Sequence, residues 1–186
     1  MNKHLQKGFT LMELLIVMVI LGILTTLVAG NFSASQERAR DTRRKGDLEA
    51  LADALEIYYN DKGNFPPANA GNMEGCGAGD AQTCTWGQEM ADQNGTIYMS
   101  KIPAESSSAR NYYYDSDGTN QWYAIYARLE NDEDKGIPRD ASENNQYYDN
   151  TDCGSSFSGC NYGLSSTNAT PQTNDVGQSL HPVIVE

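Results

Sequence analysis

Phe9 to Ala29 reads FTLMELLIVMVILGILTTLVA, 21 residues in which only Thr10, Glu13, Thr25 and Thr26 are polar. A run of that length reaches across a bilayer as one helix and exceeds the apolar core of a secretory signal. The eight residues ahead of it, Met1 to Gly8, carry Lys3 and Lys7 and end in glycine. Glu13 stands near the start of the run, where lipid makes a lone carboxylate costly, so it reads as functional. A signal peptide cut near Ala29-Gly30 or Ser33-Ala34-Ser35 and a plain single-pass anchor are the competing readings. Neither accounts for Glu13.

Beyond the apolar run the helical period persists. Leu48, Leu51, Ala52, Leu55, Tyr58 and Tyr59 recur at helical spacing and make one apolar stripe suited to rest on a sheet. Asp41/Lys45 and Arg43/Asp47 stand four apart, a spacing for ion pairs on the outer face. Gly63 and Pro66 supply the stop. A helix from Phe9 to Asn60 has 52 residues, or about 78 Å at 1.5 Å per residue, so half of it protrudes from any bilayer. Gly22 and Gly30 interrupt the apolar half, each at a cost of about 1 kcal/mol of helix propensity; Gly22 also suits close helix packing in a membrane.

The remaining chain is polar and acidic. Net charge is −12 overall and −15 beyond residue 47, which argues against a head that binds polyanions, since such affinity comes from Lys and Arg neutralising phosphates. The basic residues Arg38, Arg40, Arg43, Arg44 and Lys45 fall on the helix, where pairing between subunits or with lipid headgroups is the better reading. Lys3 and Lys7 favour a cytoplasmic N-terminus. Cys76, Cys84, Cys153 and Cys160 all lie in the polar part, an even count that suits disulfides formed outside the cytosol. Of three pairings, Cys76–Cys84 with Cys153–Cys160 is preferred because each closes a short Gly/Ser/Asn-rich loop. Zinc is the alternative, but the spacings do not match and His181 is the only histidine beyond the leader.

Residues 111–115 and 121–129 alternate and are rich in Tyr, Trp and Ile around an Asp117-Gly118 turn, which predicts an antiparallel hairpin. Tyr123, Ile125, Ala127 and Leu129 share the face expected to meet the leucine stripe, and Trp122, Tyr126 and Arg128 the other. A third strand is expected near Tyr147-Tyr148 or at Pro182 to Val185. The predicted fold is α+β: a long N-terminal helix on a small antiparallel sheet, thin enough to need its two staples. No acid/base or nucleophile constellation is recognisable, so an enzyme is not expected.

Lys7-Gly8-Phe9-Thr10-Leu11-Met12-Glu13-Leu14-Leu15-Ile16-Val17 resembles the processing site of type IV prepilins and the related pseudopilins, subunits of helical filaments. Further stretches resemble the same group: 41–48, 58–66, 98–103, 111–114, 123–131 and 161–166. Residues 68–96 and the tail after Ser166 have no counterpart. The resemblance implies cleavage after Gly8 by a prepilin peptidase on the cytoplasmic side and N-methylation of Phe9. It implies that Glu13 meets the Phe9 amine of a neighbouring subunit during polymerisation, driven by an assembly ATPase through a platform protein. The expected divisions are a leader at 1–8, a membrane-spanning, polymerising half-helix at 9–30, an amphipathic half-helix at 31–62 and a β head at 63–186. The expected partners are other copies of the chain, the membrane and the assembly machinery, with no specific nucleic acid. No cofactor is expected. Calcium is a lesser reading for Asp115, Asp117 and the Asn131-Asp132-Glu133-Asp134 run, because some pseudopilins bind it in such loops; Gly118 falls at the fourth place, not the sixth of an EF-hand loop. The resemblance points first to a type IV pilus filament, with an inner-membrane precursor and an extracellular pilus serving adhesion, motility or DNA uptake. Its alternative is the major pseudopilin of a type II secretion system.

Overall fold

The computed structural model describes residues 8–106, 110–117, 119–148, 151, 153–154, 159–167, 169–170 and 183–184. The leader through Lys7 and the turn glycine Gly118 lie outside them. Helix α1, Leu11–Lys62, runs through Gly22, Gly30 and Gly46 without a break. It is followed by β1 (Ala68–Asn69), β2 (Asn72–Cys76), a 3-10 turn (Ala78–Asp80), β3 (Gln82–Thr83), β4 (Met90–Ala91), β5 (Ile97–Met99), β6 (Tyr113–Ser116), β7 (Tyr123–Ala127), β8 (Tyr162–Ser165), β9 (Ala169–Thr170) and β10 (Val183–Ile184). The architecture is the expected α+β arrangement, a helix against antiparallel sheets. The chain divides into two compact units, Met1–Ala39 and Arg40–Glu186.

In the first unit the side chains of residues 8–26 are exposed, including Leu11, Leu14, Ile16, Leu21 and Leu24. The threonines in this apolar stretch do not leave their hydroxyls unpaired. Thr25 Oγ1 donates to the carbonyls of Leu21 at 2.8 Å and Gly22 at 2.9 Å, and Thr26 Oγ1 to that of Ile23 at 2.7 Å. Such back-bonding lets a hydroxyl sit on a helix in apolar surroundings. Among the described residues no helix is long and apolar enough to cross a membrane.

In the second unit the helix lays Leu48, Leu51, Leu55 and Tyr58 into the core, with Ala52 and Tyr59 half-buried against them. The helix stops where the sequence placed its breaker. Gly63 adopts φ +76° and its amide donates to Tyr59 O at 2.7 Å, a left-handed C-terminal cap.

The main sheet has the order β6-β7-β8, antiparallel throughout, with Ser116 opposite Tyr123, and Ala124 opposite Ser165. The strands are shorter than the predicted 111–115 and 121–129. Asp117 explains the late start of β7: its Oδ1 accepts the amides of Gln121 at 2.6 Å and Trp122 at 3.1 Å, which keeps those residues in the turn and out of the ladder. The facing residues are as expected, Tyr123, Ile125 and Ala127 toward the helix and Trp122 and Tyr126 away from it. The third strand is not. It is β8, whereas Tyr148 makes only an isolated bridge to Cys160, and Val183–Ile184 pairs with β9. Tyr148 is taken up instead by a second core.

That second core covers the far face of the sheet. Trp122, Ala124, Tyr126, Tyr148, Cys153 and Cys160 are all buried there, so every residue of β7 is enclosed on its own side. Disulfides join Cys76 to Cys84 and Cys153 to Cys160, the local connectivity. The first lies in the helix-side core and the second in the outer one.

Candidate functional site

The N-terminal end is built around Thr10. Residues 8–10 precede the first helical residue, and Gly8 and Phe9 are exposed, Phe9 at 86%. Thr10 is the cap: its Oγ1 accepts the Glu13 amide at 3.2 Å. Glu13 Oε2 reaches back to accept the Thr10 amide at 3.1 Å and the Thr10 hydroxyl at 3.0 Å. This is a reciprocal capping box, which satisfies donors that a helix start leaves open and favours negative charge at the positive end of the helix dipole. Glu13 is therefore not a lone carboxylate in the single subunit. The sequence carries the signal of this box as Thr10-x-x-Glu13, the spacing of a cap and its reciprocal carboxylate. Chemically, the end offers an accessible, non-helical Gly8–Phe9 peptide bond and a held carboxylate on the fifth residue past the bond.

A second cluster clasps the helix to the loops of its own unit. Arg44, with 4% of its side chain exposed, donates to Asp41 Oδ1 at 2.7 Å, Glu105 Oε1 at 2.5 Å and Glu130 Oε1 at 2.8 Å. Asp41 also accepts the backbone amides of Glu130 at 2.9 Å and Asn131 at 2.8 Å. Arg40 binds Glu130 through two nitrogens, and Arg110 Nη1 donates to the same carboxylate. Arg40, Arg44 and Arg110 hold Glu130 at about 2, far below its usual 4.5, against the opposing effect of burial. The Arg44 guanidinium is held charged in spite of burial by Glu105, Glu130 and Asp41. A cleft of about 30 Å³ beside it is lined by Arg40, Arg43, Arg44, Glu105 and Tyr112.

The clasp revises the reading of the basic tract. Asp41 is buried, not on the outer face, and Lys45 pairs with Asp134 at 2.6 Å and not with Asp41. Arg43 and Asp47 do stand as an i,i+4 pair at 3.7 Å, while Asp47 also accepts the Tyr112 hydroxyl at 2.7 Å. Arg40, Arg44 and Lys45 thus find their carboxylates within the subunit. The oxygens considered for calcium are similarly engaged: Asp117 with turn amides, Asn131 with the Glu133 amide, and Asp134 with Lys45 and the Gly136 amide. Among the described residues no group of three or more His, Cys, Asp or Glu is placed to hold a metal ion.

One comparison with known proteins falls on this same end of the chain. The family model described as the prokaryotic N-terminal methylation motif matches residues 3–29. The type II secretion system core protein G of Pseudomonas aeruginosa is 31% identical over 148 residues, 78% of this chain and 98% of that protein. The core protein G of Aeromonas hydrophila is 41% identical over 71 residues, 38% of this chain and 50% of that protein. That of Escherichia coli is 33% identical over 100 residues, 54% of this chain and 66% of that protein. No solved structure matches significantly.

Proposed function

Since the chain belongs to the pilin and pseudopilin family that includes type II secretion core protein G, we propose that it is the major pseudopilin of a type II secretion system. In this reading it is a structural subunit and not an enzyme. It is made as a precursor held in the inner membrane, cut after Gly8, methylated at Phe9 and polymerised through α1 into a periplasmic filament that drives cargo outward. The observation that carries the proposal is the similarity to a secretion core protein over nearly that protein's whole length, 98%. The surface-pilus reading, with adhesion, motility and DNA uptake, gives way to it, because the relatives are named for secretion. The leader at 1–8, the polymerising half-helix at 9–30, the amphipathic half at 31–62 and the head at 63–186 keep the roles assigned above.

The capping box supports a role for Glu13 in joining subunits. In the free subunit Thr10 holds the carboxylate. After cleavage the Phe9 amine of an adjoining copy is a stronger, charged donor, and in lipid the pair neutralises itself. Prepilin peptidase, the platform protein and the assembly ATPase are the partners this cycle requires. Mass spectrometry of the mature chain is expected to find N-methylphenylalanine at residue 9. Deleting the gene is expected to strand secreted cargo in the periplasm. Normal secretion together with the loss of surface fibres would overturn the assignment.

A further inference from the structure

The loop between β4 and β5 carries the chain's one Asn-Gly dipeptide, Asn94-Gly95. Gln93, Asn94, Gly95, Thr96 and Ile97 are all exposed there. Such a pair is chemically weak, because glycine has no side chain to shield its amide nitrogen from the preceding asparagine. The fold nevertheless ties that nitrogen down. Gly95, at φ +81°, donates its amide to Asp92 O at 3.1 Å, and the Asp92 amide donates to Thr96 O at 3.0 Å. The Asp92 carboxylate closes the same turn: Oδ1 accepts the amides of Asn94 and Thr96, both at 2.8 Å. A short polar side chain that bonds the backbone just ahead of it holds a turn in one shape. Asp92 is itself fixed, with 1% of its side chain exposed, because Oδ2 accepts Lys62 Nζ at 2.8 Å. Lys62, the last residue of α1, also binds Asp80 at 3.0 Å, and Asp80 Oδ1 accepts the Gln93 amide at 2.8 Å. All five amides of residues 92–96 thus have acceptors, in a loop open to solvent.

Backbone-assisted deamidation needs what this turn withholds. The Gly95 nitrogen must lose its proton and swing toward Asn94 Cγ, so its bond to Asp92 O has to break first. It then attacks Cγ, Nδ2 leaves as ammonia, and a cyclic succinimide joins Cγ to the Gly95 nitrogen. Water opens that ring at either carbonyl, leaving aspartate or isoaspartate at 94 with no electrons gained or lost. We propose that Asn94 is a latent site of this modification, held off in the folded head by the Asp92 turn and its Lys62 anchor. The rate is then set by how often the turn opens, a local event that needs less free energy than unfolding the core. Either product disturbs the anchor once formed. Aspartate adds a negative charge beside Asp92 and Asp80, between which Lys62 is already shared. Isoaspartate lengthens the backbone inside a fully hydrogen-bonded turn.

The test is independent of the filament assignment. The detergent-solubilised full chain is kept in mildly alkaline buffer, and conversion at residue 94 is followed by peptide mass spectrometry. A synthetic peptide of residues 88–99, which lacks Lys62, is followed beside it. The folded chain is expected to convert at least tenfold more slowly than the peptide; equal rates would overturn the proposal. Asp92→Ala removes the acceptor of two amides together with the anchor point. It is expected to speed conversion at least fivefold while near-ultraviolet circular dichroism shows the aromatic core still packed. Lys62→Met leaves the carboxylate on the turn but frees it from the helix, and a rise of at least twofold is expected; this variant decides the matter if Asp92→Ala does not fold. Leu51→Ala, which weakens the core and leaves the turn intact, is expected to stay within twofold of wild type. A wild-type rate in folded Asp92→Ala or in Lys62→Met, or a rise in Leu51→Ala equal to theirs, means that the turn is not the lock, and the proposal fails.

Discussion

Thr10 and Glu13 separate two properties that a single substitution would otherwise confuse. Thr10→Ala removes the cap but leaves the carboxylate. The first turn of α1 should then fray, a loss of about 1 kcal/mol, measurable as reduced helicity of a 9–39 peptide in micelles by circular dichroism. Glu13→Gln keeps a side chain that can reach back to Thr10 but removes the charge. It is expected to be cut after Gly8 at the normal rate and to fail in filament formation, which mass spectrometry and electron microscopy of sheared fibres would read together. Normal polymerisation of Glu13→Gln would remove the charge from the account. Glu130 is the other residue on which several groups depend, since Arg40, Arg44 and Arg110 all converge on it. Glu130→Gln leaves three guanidiniums short of a carboxylate, two of them largely enclosed. A loss of about 2–3 kcal/mol is expected in denaturant unfolding, because breaking one side of a buried pair strands the other.

The elements were legible in proportion to their periodicity. The leucine stripe of α1 and the alternation of β7 each obey a fixed spacing, so both their existence and the side they bury could be read from the sequence. Leu51→Ala, in the middle of that stripe and 1% exposed, is expected to cost about 3 kcal/mol through lost burial and a residual cavity, visible as a lower midpoint in urea. Strand β8 and the outer layer were not legible. Tyr162-Gly163-Leu164-Ser165 has only one aliphatic residue, and the segment before it is rich in Asn, Ser and Gly. Tyr148 is buried by the Cys153–Cys160 disulfide and by Trp122 and Tyr126; the sequence showed each of these, but no local spacing showed that they meet. The clasp was half visible. The basic tract announced charges that needed partners, but Glu105 and Glu130 lie more than 60 residues away in sequence, beyond any helical spacing rule.

For the molecule as a whole, pH acts mainly through carboxylates held ionised in the fold. Glu130 is kept at about 2 by Arg40 and its companions, and Asp92 is kept well below its ordinary range, first by Lys62. A carboxyl whose folded value lies below its unfolded one contributes stability that is complete above the unfolded value and is lost as pH falls toward the folded one. The Glu130 contribution should therefore be whole at neutral pH, begin to fall near 4.5 and be gone near 2. Thermal unfolding of the wild type should show this acid-side decline. In Glu130→Gln the decline should be shallower between those limits, and an identical pH profile for the two proteins would rule out the clasp as its source.

The enclosure of β7 from both sides has one more implication. Its odd-numbered residues pack in the core that holds the helix leucines and the first disulfide, and its even-numbered ones in the core that holds Tyr148 and the second. Sliding the strand by a single position would exchange the two sets at once, putting Tyr126 against leucines and Ile125 beneath the cystine. A misaligned hairpin would therefore have to repack both cores at once. The register of this small sheet is thereby fixed from both of its faces.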